Sequence, residues 1–166
     1  MLSIVERARA KALQWRYRPR IKVVPVESLR RLGSAYGGWT FEDRAELAGS
    51  AIVSCGLGED ASFDVEIAAA YGARVILVDP TPRAIAHFEA IEARLGSPAA
   101  RDYVAGGEQP VESYDQSRLN PNSLELMPVA LWIENTTLRF YEPENPEHVS
   151  HSITFQPEDG SRYIEV

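Results

Sequence analysis

Between Ala51 and Arg83 the apolar positions fall into short runs alternating with a helical period. Ala51 to Cys55 is a brief apolar run rich in β-branched residues, and it predicts a buried strand. Gly56-Leu57-Gly58 breaks that run. Phe63, Ile67 and Tyr71 then recur at helical spacing on one face, with Ser62 as N-cap and Gly72 as the C′ residue. Arg74 to Val78 predicts a second buried strand, ending at Asp79. Thr81 caps a second helix whose first position is Pro82, where a missing N–H costs nothing. Ile85, Phe88, Ile91 and Leu95 form its buried face, and Gly96 stops it. The unit strand–glycine turn–helix–strand–acid is the ligand-binding half of a doubly wound α/β fold, with the two strands adjacent and parallel.

The flanking patterns are weaker. Leu2 to Trp15 reads as an amphipathic helix with Val5, Ala8, Ala12 and Trp15 on one stripe, and Ile21 to Val26 as an extended segment. Val26 to Leu32 reads as a helical turn, and Tyr36 to Phe41 as a glycine-hinged aromatic loop beside the glycine turn. Ser97 to Glu125 is a long irregular connection. Leu126 to Glu134 reads as a strand that hairpins through Asn135-Thr136 into Thr137 to Tyr141. An acidic proline loop over Glu142 to Glu147 follows. A second hairpin, Ser152 to Phe155 with Arg162 to Glu165, turns at Pro157 to Gly160. The expected division is a basic helical arm over 1–35 and an α/β domain over 36–166. Only the first half of a doubly wound sheet is legible. The chain is therefore expected to be a piece of a longer domain, or to complete its sheet as a homo-oligomer.

Composition narrows the class. The chain has 166 residues, 45% hydrophobic and 25% charged, as a soluble globular domain has. Cys55 is the one cysteine, so no intramolecular disulfide forms, and a cytoplasmic location is expected. No run approaches the about 18 apolar residues of a membrane span, and Arg7, Arg9 and Lys11 interrupt any signal-peptide core. The net charge of −7 is uneven: Met1 to Arg31 holds nine Lys and Arg against two Asp and Glu, and the remainder eight against twenty-two. Such an acidic body argues against nucleic acid as a partner.

Two ligand classes use such a unit. Gly56-x-Gly58-x-x-Ala61 satisfies the dinucleotide pattern, and Asp79 lies where that pattern wants a ribose-binding acid. A dinucleotide needs free N–H groups and positive potential facing its pyrophosphate. Glu59 and Asp60 follow the second glycine instead, and they repel phosphate unless both side chains turn away. S-adenosylmethionine has no phosphate; its sulfonium and ammonium are cationic, and its ribose diol donates to an acid. An acidic turn suits it better. An NAD-binding oxidoreductase module and a non-catalytic scaffold remain as alternatives.

Tyr36-Gly37-Gly38-Trp39, Gly56-Leu57-Gly58-Glu59-Asp60, Ser62-Phe63-Asp64 and Val78-Asp79-Pro80-Thr81-Pro82 resemble the opening motifs of FkbM-type methyltransferases. Val129 to Trp132, Leu138 to Tyr141 and His148 to Ile153 resemble the middle of that family, so the likeness runs from about Tyr36 onward. The resemblance implies a Rossmann-like class I fold that takes S-adenosylmethionine and transfers methyl to the oxygen of a hydroxyl-bearing small molecule or saccharide. The candidate cofactor-binding set is Gly56, Gly58, Glu59, Asp60, Asp79 and Pro80. The usual acid two residues before the first glycine is Ser54 here, the third glycine is Asp60, and the family's acidic motif on the fourth strand is absent.

His148-x-x-His151 lacks the further clustered ligands of a metal site, so no metal is expected. Because the stretch matches the family's pattern, both histidines are candidate catalytic residues, an imidazole being suited to taking a proton from an acceptor hydroxyl. Asp79 is the leading cofactor residue. Thr81 already caps and Pro80 already turns the chain, which leaves the Asp79 carboxylate for the ribose hydroxyls. On that reading Asp79→Asn weakens an adenosyl ligand and leaves the melting temperature nearly unchanged.

Overall fold

The computed structural model describes residues 27–143, 145, 150–154 and 162–166. The expected N-terminal helix and extended segment, His148, half of the acidic proline loop and the turn of the last hairpin lie outside the described residues.

The centre is a parallel sheet of β3 (Ala51–Cys55), β4 (Arg74–Val78) and β5 (Leu124–Met127), in that spatial order. Ala51 pairs with Arg74 and Cys55 with Val78; Val75 pairs with Leu124 and Val78 with Met127. Helix α1 (Ser62–Tyr71) connects β3 to β4, and α2 (Pro82–Glu92) follows β4. Gly72 ends α1 in the left-handed conformation at φ 60°, where a side chain would be strained. The expected parallel α/β arrangement of Ala51–Cys55 and Arg74–Val78 is therefore present.

Because strand side chains alternate, the sheet has two unlike faces. Val75 and Leu77 are fully buried and share one core with Val65, Ala68, Phe88, Ile91 and Tyr114. On the other face Val53 is 61% exposed and Met127 43%. Among the described residues nothing pairs with the outer edge of β3 as a strand.

Several expectations are corrected. Ala51–Cys55, expected to be a buried strand, has no buried residue because β3 is an edge strand, and α2 ends at Glu92, leaving Leu95 exposed beyond it. Leu29–Leu32 is not helical; it is β1, antiparallel to β2 (Trp39–Glu42), with Leu29 opposite Glu42 and Leu32 opposite Trp39. Leu and Arg favour helix on their own, but tertiary pairing overrides so weak a preference. The hairpin packs on α1: the Phe41 ring meets Phe63 and Tyr71 edge-on, both at 6.0 Å, and Arg30 lies over Tyr71. It also spans the boundary expected at Ala35 and Tyr36.

The strand expected over Leu126 to Glu134 is shorter and earlier. Pro128 has no N–H to give a ladder, and β5 ends before it. Leu131 and Ile133, which look like strand core in the sequence, are 73% and 90% exposed. Neither expected C-terminal hairpin forms as drawn. Arg139–Tyr141 is β6 and pairs antiparallel with β7 (Tyr163–Glu165), while Ser152 bridges to Tyr141. Cross-strand contacts hold that register: Arg139 stacks over Tyr163, and Tyr141 meets the same ring.

Candidate functional site

A cavity of about 540 Å³ opens at the carboxyl ends of β3 and β4. Its floor is the chain reversal after β3. Gly56 takes φ +88° and Gly58 φ +54°, so the strand can turn abruptly into the approach to α1. A Cβ on Gly56 meets nothing within 4 Å, so backbone conformation and not space demands the glycine there.

Gly56, Gly58, Glu59, Asp60, Asp79 and Pro80 all line the cavity, as does His151. His148 lies outside the described residues. Asp79, 6% exposed, ties the turn to the next helix. Its Oδ2 accepts from Gly58 N–H at 2.9 Å, and its Oδ1 accepts from Thr81 N–H at 2.9 Å and Thr81 Oγ1 at 2.7 Å. Thr81 makes no side-chain cap to α2, because its hydroxyl is given to Asp79. The premise that Thr81 and Pro80 free Asp79 for a ligand is thereby corrected: Asp79 is itself a turn residue. A carboxylate accepts about four hydrogen bonds, which leaves about one position for a ligand hydroxyl.

Glu59 and Asp60 also turn into the protein. Glu59 pairs with Arg83 at 2.5 Å. Asp60 Oδ2 accepts from Ser34 Oγ at 2.6 Å and Gly37 N–H at 3.1 Å, and its Oδ1 accepts from Ser62 N–H at 3.0 Å. Asp60, not Ser62, thus supplies the acceptor at the start of α1; the expected cap Ser62 instead accepts from Ser34 N–H through its hydroxyl. These contacts hold the β1–β2 turn over the glycine turn. Gly37 has to be glycine for this, since a Cβ there would lie 2.5 Å from the Asp60 carboxylate.

A second support comes from the long connection after α2. The Gln109 side chain closes a loop through Val104 and Gly106, and Gln109 N–H donates to Glu59 O at 2.8 Å. Tyr114, fully buried, accepts from Ala61 N–H at 3.0 Å, and His87 Nε2 lies 2.8 Å from the same hydroxyl. Burial raises the Tyr114 pKa and lowers that of His87, against the pull of Glu59, Asp60 and Glu108. His87 is therefore a half-buried histidine whose ring is hydrogen-bonded within the protein. Tyr114 escapes sequence reading because it sits in a segment without periodicity.

Of the backbone N–H groups around the turn, those of Gly56, Gly58, Asp60, Ala61 and Ser62 are already donated within the protein. Four carboxylates line the cavity, from Glu59, Asp60, Asp64 and Asp79, and among the described lining residues there is no Lys or Arg. Burial pushes Asp64 up to about 6, with Asp60 adding to the effect and the Ser54 hydroxyl opposing it. Tyr36 and Trp39, 69% and 68% exposed, stand at the rim as aromatic surfaces. Among the described residues no three His, Cys, Asp or Glu side chains gather as a metal site, and no helix is long and apolar enough to cross a membrane. The chain matches no protein-family model, no curated protein and no solved structure.

Proposed function

We propose that this cavity takes the adenosyl ligand S-adenosylmethionine and that the chain serves methyl transfer to a hydroxyl oxygen. The observation that carries the reading is the lining: four carboxylates and, among the described residues, no Lys or Arg. Such a surface attracts a cationic ligand and disfavours a pyrophosphate. The occupied N–H groups at the turn point the same way, because a dinucleotide's phosphates need those donors free. Glu59 is paired with Arg83 and Asp60 with Ser34, Gly37 and Ser62, so the occupied N–H donors disfavour NAD in addition to repulsion at the turn.

When bound, the cofactor supplies a methyl group on a good leaving group, and the protein's part is alignment. Asp79 offers its remaining acceptor position to a ribose hydroxyl. Tyr36 and Trp39 supply flat apolar surface for a ring. His151 lines the same cavity and is the described residue best suited to take the proton of an acceptor hydroxyl. Rossmann-like class I architecture is part of this reading, as is a hydroxyl-bearing small molecule or saccharide as acceptor.

Calorimetric titration with S-adenosylhomocysteine and, separately, with NAD tests it. Binding of the first alone is expected. Binding of NAD alone would make the chain an oxidoreductase module, and binding of neither a scaffold.

A further inference from the structure

The four carboxylates of the cavity are not alike. Those of Glu59, Asp60 and Asp79 are each committed to partners within the protein. Asp64 is different. It lies in the first turn of α1, is 4% exposed and lines the cavity, yet its Oδ1 is buried with no hydrogen-bond partner.

The Ser54 hydroxyl and the Asp64 N–H stabilise the carboxylate, but Oδ1 stays without a hydrogen-bond partner. An acid at this point of a helix can reach back to the N-cap N–H, but the N–H of Ala61 is given to the Tyr114 hydroxyl. Ser54 stabilises the ionised form, while Asp60 on the turn works against it. A buried carboxylate oxygen without a donor is unfavourable, and at the wall of a cavity a bound ligand can supply the missing partner. That partner has to donate hydrogen bonds. A sulfonium carries no N–H or O–H and cannot; an ammonium carries three donors.

We propose that Asp64 recognises the α-ammonium of an amino-acid moiety on the bound ligand, its Oδ1 accepting directly from that group. This rests on the adenosyl-ligand reading and adds to it: Asp79 faces the nucleoside part and Asp64 the amino-acid part. Because the role needs the ionised form, it fades as Asp64 protonates near pH 6.

The test compares two probes on the full chain. S-adenosylhomocysteine carries the ammonium; 5′-methylthioadenosine keeps adenine, ribose and thioether but has no amino-acid moiety. Asp64→Asn is expected to weaken the first at least tenfold and the second less than twofold. In the wild type, the affinity ratio of the two probes should fall between pH 7.5 and 5. Taking the ratio cancels any pH effect on the shared nucleoside part; Asp60 and Tyr114 neighbour Asp64, and the variant removes its share from theirs. Equal weakening of both probes would make Asp64 a shaping residue of the turn and overturn the proposal. No weakening of either would do the same. If the variant does not fold, a pH-independent ratio in the wild type overturns it alone. Failure of the wild type to bind either probe instead removes the adenosyl reading and this inference with it.

Discussion

Asp79→Asn probes the hub of the site. The carboxylate holds three donors: Gly58 N–H on Oδ2, and the N–H and hydroxyl of Thr81 on Oδ1. An asparagine can keep the two Thr81 bonds with its amide oxygen. Its NH₂ then faces the Gly58 N–H, donor against donor, at a position that was 2.9 Å from an acceptor. The change loses a charge-assisted bond and leaves a poorly paired N–H in a residue only 6% exposed. Hydrogen bonds to charged groups contribute about 1.5–3 kcal/mol, so a loss of about 2–3 kcal/mol is expected. At about 2–4 °C per kcal/mol for a chain of this size, the melting temperature should drop by about 4–12 °C. Urea unfolding followed by far-ultraviolet circular dichroism measures the first, and a thermal melt the second. An unchanged melting temperature together with a tenfold loss of S-adenosylhomocysteine affinity would refute the reasoning, because the carboxylate would then serve the ligand and not the turn.

Tyr114→Phe removes the acceptor of the buried Ala61 N–H and the partner of His87; a loss of about 1–3 kcal/mol in chemical denaturation is expected. Gly37→Ala puts a methyl 2.5 Å from the Asp60 carboxylate, so it should weaken adenosyl-ligand binding. Gly56→Ala, with no neighbour within 4 Å but φ +88°, should cost only the roughly 1–2 kcal/mol of backbone strain in a denaturation curve. Asp64 has a folded pKa raised from 3.8 to about 6, so the folded state holds its proton more tightly than the unfolded chain. Its contribution to stability is greatest below the unfolded value and is lost as pH rises through about 6, by up to about 3 kcal/mol. Asp64→Asn should therefore raise the pH 7 melting temperature of the ligand-free protein and flatten its pH dependence between 4 and 6.

The central unit is legible in the sequence because its signals are local. Ala51–Cys55 and Arg74–Val78 are apolar runs too short for helices. Gly56, Gly58 and Gly72 mark backbone reversals that other residues adopt only with strain. Pro82 marks the start of α2. Each instruction is carried by residues within a few positions of where it acts.

Whatever depends on distant partners was decided only by tertiary structure. Leu29–Leu32 becomes a strand because Trp39–Glu42 pairs with it and α1 receives the hairpin, not because of its own preference. Arg139–Tyr141 pairs with Tyr163–Glu165 across more than twenty residues, where no local pattern specifies register. Glu59 and Asp60 look alike in the sequence, yet one meets Arg83 and the other Ser34 and Gly37. Asp64 shows the difference most sharply. In the sequence it is one acid in the first turn of a helix. Only the fold buries it beside the cavity, gives the Ala61 N–H to Tyr114 and leaves Oδ1 without a donor. Periodicity and turn chemistry reach a few residues along the chain, whereas a hydrogen-bond partner is chosen in space.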